Sequence, residues 1–184
     1  MNANKKILIV RAGLFVVLVA CIMLLAKELV SDDGRVAGIR IGRSANSVGK
    51  YTINAPKEAS ISGPIKVDLT VDTKDKAVNA VALYLKFPTN RMRALSMDTS
   101  NSFCEFFPEN KFDNNTGLIK LACGLPTPGF TGVGSVATLT FEPLSTGSAK
   151  LQILPRSAIL LNDGKATNIL SAYPVHEVLI LGNL

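Results

Sequence analysis

Ile65-Lys-Val-Asp-Leu-Thr-Val-Asp72 alternates apolar and polar residues without a break. A helix would scatter those four aliphatic side chains around its axis, whereas a strand puts all four on one face, so a half-buried β-strand is the consistent reading. Such a strand cannot stand alone, because its apolar face needs a second layer to cover it. Val133 to Gly147 repeats the signal. Val136/Ala137, Leu139 and Phe141 alternate with small polar residues, entered through Gly132 and Gly134 and left through a Pro/Gly turn.

Further runs of the same kind follow one another between Gly, Pro, Asn and Asp punctuation. Tyr51–Ala55 comes first, with Tyr51 and Ile53 sharing a face. Val81, Leu83, Leu85 and Phe87 face inward before Pro88 ends their strand. Met92–Met97, Phe103–Phe107, Gly117–Cys123, Ser148–Ile153, Ser157–Leu161 and Val175–Leu181 complete about nine strands. Short strands at this spacing, with no helix longer than a turn required, predict an all-β sandwich over residues 51–184.

Order and spacing add a resemblance. Val67-Asp-Leu-Thr-Val-Asp-Thr73, Asn79-Ala-Val-Ala-Leu-Tyr-Leu-Lys-Phe-Pro88, the Val133–Gly147 stretch, Ser148-Ala-Lys-Leu-Gln-Ile153 and Asn162-Asp-Gly164 together resemble a cohesin domain, the scaffold module that captures dockerins. The resemblance covers about residues 51–181 and implies a nine-stranded, jelly-roll-like sandwich. It also implies a protein partner of dockerin type, docked on one sandwich face. Strands carrying Tyr84, Lys86 and Lys120 are the candidates for that face. Carbohydrate-binding modules share the architecture, so binding to a polysaccharide, in the service of its breakdown, is the alternative; a structural cell-surface spacer is another.

The N-terminal part has a different character. Ile7 to Ala26 is apolar except for Arg11, about the length that crosses a bilayer as a helix. Lys5, Lys6 and Arg11 mark its cytoplasmic end under the positive-inside rule, so the chain after Lys27 is expected outside the cell. The expected organisation is a cytoplasmic tip and signal-anchor over 1–26, a flexible stalk over 27–50, and the sandwich over 51–184. Two alternatives share the exported outcome. Leu18-Val-Ala-Cys21 resembles a lipobox, which would make Cys21 the lipidated residue of a lipoprotein, and cleavage of the segment would release a secreted domain.

Charge sets limits on partners. The net +6 falls as +3 on residues 1–26, +2 on 27–50 and only +1 on 51–184. The basic excess therefore flanks the membrane segment, and nucleic-acid binding is not expected of the domain.

Little catalytic equipment is present. His176 is the sole histidine, no Gly-x-Ser-x-Gly elbow accompanies it, and the acids are scattered, so no enzyme is expected. The sugar-stacking inventory is also thin: no tryptophan, and tyrosine only at 51, 84 and 173. Phe103, Phe106, Phe107 and Phe112 are assigned to core packing or loop anchoring, a hydrophobic patch for a protein partner being the alternative.

Cys104 and Cys123 are the only cysteines outside the apolar segment, and an oxidising exterior favours a disulfide pinning the Phe103–Phe107 strand to the Gly117–Cys123 strand. Asp113-Asn-Asn-Thr-Gly117 is oxygen-rich enough to suggest Ca²⁺ near Asp113, but it lacks the further acid of a complete loop, so a tight turn is preferred and no cofactor is expected. Asn114-Asn-Thr116 spells a glycosylation sequon.

Overall fold

The computed structural model describes residues 47–182, and all regular structure in that range is β. The expected anchor, Cys21 and most of the stalk lie outside the described residues. Eleven strands form two sheets. Strands β1 (Lys50–Asn54), β3 (Ile65–Asp72), β8 (Val133–Pro143) and β5 (Met92–Asp98) make a four-stranded sheet in the order β1-β3-β8-β5. The second sheet has the order β2 (Glu58–Ser60), β11 (Val175–Leu181), β9 (Gly147–Ile153), β4 (Val78–Lys86), β7 (Leu118–Gly124) and β6 (Phe106–Asp113). Its seventh strand, β10 (Ala158–Leu161), pairs with β4.

The alternating residues do what their period requires. Ile65, Val67, Leu69 and Val71 are buried from one sheet, and Val81, Leu83 and Leu85 from the other. Ile119, Leu121, Leu139, Phe141, Leu151 and Ile153 fill the space between. Phe87 and Phe141 meet edge to face at 5.2 Å, an arrangement that suits the ring quadrupoles.

Eleven strands replace the nine expected, for reasons local patterns do not carry. Glu58–Ser60 has no apolar alternation and becomes β2 only through parallel pairing with Leu179–Leu181. The strand expected at Phe103–Phe107 is displaced downstream to Phe106–Asp113. Pro108 does not end it, because β6 is an edge strand and its register shifts between Phe106 and Glu109, where a missing N–H is tolerated. The folded unit also starts before residue 51: Gly49 donates to Ile169 O (2.8 Å) and accepts from Ser171 N (2.9 Å).

Cys104 and Cys123 are bonded, with Cα atoms 5.9 Å apart. Cys104 belongs to the crossover before β6 rather than to a strand, which corrects the strand-to-strand pin expected. That crossover carries the chain between the sheets. Phe103 donates to Ser135 O of β8 (3.0 Å) and Glu105 to Gly124 O of β7 (2.9 Å), so the disulfide fastens the passage between two layers. Beneath it Phe103 and Phe130 stack at 4.2 Å.

Candidate functional site

On the larger sheet, the residues that alternate with the buried ones form an outer face across β10, β4, β7 and β6. Register places them in four rows. Leu160, Ala80, Gly124 and Phe106 make the first, and Ala82, Ala122 and Glu109 the second, with the buried Ala158 opposite Ala82 on β10. Tyr84, Lys120 and Lys111 make the third, and Lys86, Leu118 and Asp113 the last. The centre is therefore a floor of small uncharged residues. A hydrophobic ring stands at one end and cations at the other.

Phe106 is 54% exposed, unlike its neighbours Phe103, Phe107 and Phe112, which pack against the core. Core packing therefore holds for three of the four, and Phe106 is left as exposed apolar surface. Glycine at 124 explains the fourth: a Cβ there would lie 2.4 Å from the Phe106 ring, so only glycine lets the ring settle flat on the strand. Phe106 is thereby a fixed apolar feature two residues from the disulfide.

Tyr84, Lys86 and Lys120 are brought together on this face, Tyr84 directly opposite Lys120. Tyr84 sits at a fork. The edge of β4 pairs with β10 at Val78–Ala82 and with β9 at Leu85–Lys86, and the buried Ser157 hydroxyl fills the gap, accepting from Tyr84 N (3.0 Å) and donating to Tyr84 O (3.3 Å). The Arg156 guanidinium lies 5.2 Å from the Tyr84 ring centroid, within cation–π range. Lys86 Nζ donates to Thr116 O, and Lys111 pairs with Glu109 at 2.9 Å, which raises the lysine above its ordinary pKa. Lys111, Phe112, Asp113, Thr116, Leu118 and Lys120 line a shallow depression at this cationic end.

The 113–117 segment is a tight turn. Asp113 Oδ1 accepts from Asn115 N (2.8 Å) and Oδ2 from the Thr116 hydroxyl (2.7 Å), bonds that hold its carboxyl below the usual carboxylate range. Both oxygens are thus engaged within the turn, and among the described residues no cluster of three potential metal ligands occurs. Gly117 adopts φ +63°, where a Cβ would meet Phe87 O at 2.3 Å. The sequon's Asn114 is also occupied: its Oδ1 accepts from Ala94 N (2.8 Å) and its Nδ2 donates to Ala94 O (3.0 Å), a clasp onto β5. His176 lies on β11, with a ring nitrogen 3.4 Å from Pro56 O, and β9 separates its strand from this face.

Sequence reasoning missed Arg156 and the Ala80/Ala82/Ala122/Gly124 floor, and did not single out Phe106 from the other phenylalanines. Small residues alternating with Val81, Leu83, Leu121 and Cys123 were the available signal for the floor.

No protein-family model and no curated protein matches the sequence. Solved structures do. A cohesin module from a Clostridium perfringens family 33 glycoside hydrolase superposes with TM-score 0.60 at 14% identity, covering 74% of this chain and 99% of that one. The third cohesin ScaC of Acetivibrio cellulolyticus, solved with the ScaB dockerin, gives 0.59 at 11% identity, covering 73% and 99%. The sixth cohesin of the same organism's scaffoldin B, solved with a Cel5 dockerin, gives 0.59 at 14%, covering 72% and 99%. The chain therefore has the cohesin fold.

Proposed function

We propose that this protein is a non-catalytic binding module that captures a dockerin-like protein partner on the outer face of β10-β4-β7-β6. Residues 7–26 anchor it in the cell membrane with the N-terminus inside, and the segment that follows holds the domain off the outer surface. The observation that carries the docking face is the floor of Ala80, Ala82, Ala122 and Gly124 with Phe106 exposed at its end. Flat, small-residue sheet surface lets a partner element approach closely, and a pre-positioned aromatic contributes contact area at little entropic cost. The dockerin complexes of the structural neighbours support a protein as the occupant.

The test uses the full chain in detergent micelles as bait for cell-envelope extract, alongside its Ala122→Arg variant after matched thermal melts. A defined protein retained by the parent and lost by the variant is expected. Equal retention by both, or a strong glycan-array signal with no protein retained, would sink the reading. Intact mass of the membrane-extracted protein checks the anchor: an unprocessed N-terminus is expected, whereas cleavage before a lipidated Cys21 would make it a lipoprotein.

A further inference from the structure

The charge of residues 51–184 is nearly balanced, yet it is not evenly spread. Lys86, Lys111, Lys120 and Arg156 gather around Tyr84 at one end of the docking face. Only two carboxylates share these rows. Glu109 is taken by Lys111, and Asp113 has both oxygens turned into its own loop. The outer face of the four-stranded sheet mixes both signs, with Lys50 and Lys66 beside acids and threonines. There Asp68 accepts from Thr138 (2.7 Å), Arg93 is paired with Glu142 (2.5 Å), Lys74 with Asp72 (2.5 Å), and threonines occupy positions 52, 70, 138 and 140. At the cationic end of the docking face Lys86, Lys120 and Arg156 thus stand close together with no carboxylate paired to them among the described residues.

We propose that the partner presents an acidic segment, its carboxylates set over Lys86, Lys120 and Arg156 while an apolar residue lies against Phe106 and the alanine floor. The proposal rests on reading this face as the docking surface and specifies the chemistry of what docks there. Cations at the rim of an apolar floor steer an oppositely charged partner and fix its direction along the strands, since only one end of the face is charged. A basic partner would meet like charge at the same end.

The probe is poly-L-glutamate, titrated onto the full chain by biolayer interferometry at about 50 and about 300 mM NaCl, where screening lengths differ about twofold. Binding is expected to weaken about tenfold at the higher salt and by about tenfold or more in a Lys86→Glu/Lys120→Glu/Arg156→Glu variant. A Lys86→Gln/Lys120→Gln/Arg156→Gln variant, which removes charge without reversing it, should fall between. Binding unchanged in both variants would overturn the proposal. So would binding of heparin or duplex DNA, lost in the reversal variant, with none of poly-L-glutamate: the site would then take a polyanion of another class. Retention of the envelope partner separates the two claims. A partner lost with Ala122→Arg but kept by the charge-reversal variant sinks the acidic segment and leaves the docking face. A partner kept by both sinks the face itself.

Discussion

Tyr51 Oη lies 2.9 Å from the carbonyl oxygens of both Ala82 and Ala158, reaching from β1 in one sheet to β4 and β10 in the other. Burial pushes its hydroxyl well above the ordinary tyrosine pKa, so it stays protonated and remains a donor. Tyr51→Phe is expected to cost about 1–2 kcal/mol, read as a lower urea midpoint with an unchanged m-value. Ser157 plays the corresponding part at the β4 fork. Ser157→Ala leaves the Tyr84 N–H without its partner and should cost about 1–3 kcal/mol while also loosening the Tyr84 ring on the docking face. Phe106→Ala should behave differently. Its ring is more than half exposed, so thermal stability should hardly change while partner affinity falls by about 2 kcal/mol; loss of stability with affinity intact would return Phe106 to a packing role.

At the scale of elements, β5 and the β6–β7 hairpin of the other sheet are tied at two places, the crossover into β6 and the turn out of it. The disulfide joins Cys104 to β7, and Asn114 clasps the backbone of Ala94 where the β5–β8 register shifts. In the chain-entropy model a loop of this size contributes about 3 kcal/mol, so reduction should lower the melting temperature without unfolding the sandwich at room temperature. A reduced protein melting at the same temperature as the oxidised one would show that the chain passage is held by the Phe103–Phe130 stack and the backbone bonds of Phe103 and Glu105 instead. In a host that glycosylates Asn-x-Thr, Asn114 should remain unmodified in folded protein, because its amide already makes two hydrogen bonds; glycan at that position would mean the clasp opens.

At the scale of the molecule, four aspartates among the described residues close loops in the same way. Asp72, Asp98, Asp113 and Asp163 each accept from the backbone N–H two residues on, and each is held below the ordinary carboxylate pKa, chiefly by side-chain bonds to Lys74, Thr116 and Thr167 and by the Ser100 backbone bond at Asp98. The folded state therefore binds protons less readily than the unfolded chain does. Their stabilisation is complete above the unfolded carboxylate value of about 4 and is lost as pH falls through the lower folded values. Urea midpoints should be level at neutral pH and drop below pH of about 4, with Asp113→Asn flattening part of the slope. The sequence by itself determined the two-layer β architecture and most strands, because strict alternation in Ile65–Asp72, Val81–Phe87 and Val136–Phe141 admits only a half-buried strand, and such faces must cover one another. It also placed Tyr84 in a strand, opposite in phase to Leu83 and Leu85, and named Lys86 and Lys120 with it as candidates for one face. What only the tertiary structure decided depends on contacts distant along the chain. Glu58–Ser60 is a strand because Leu179–Leu181 pairs with it, Phe106 lies against β7 because Gly124 leaves room for its ring, and Arg156 joins the face because β10 folds back on β4. Periodicity reports which side of an element is buried, but cannot report which other element supplies the cover.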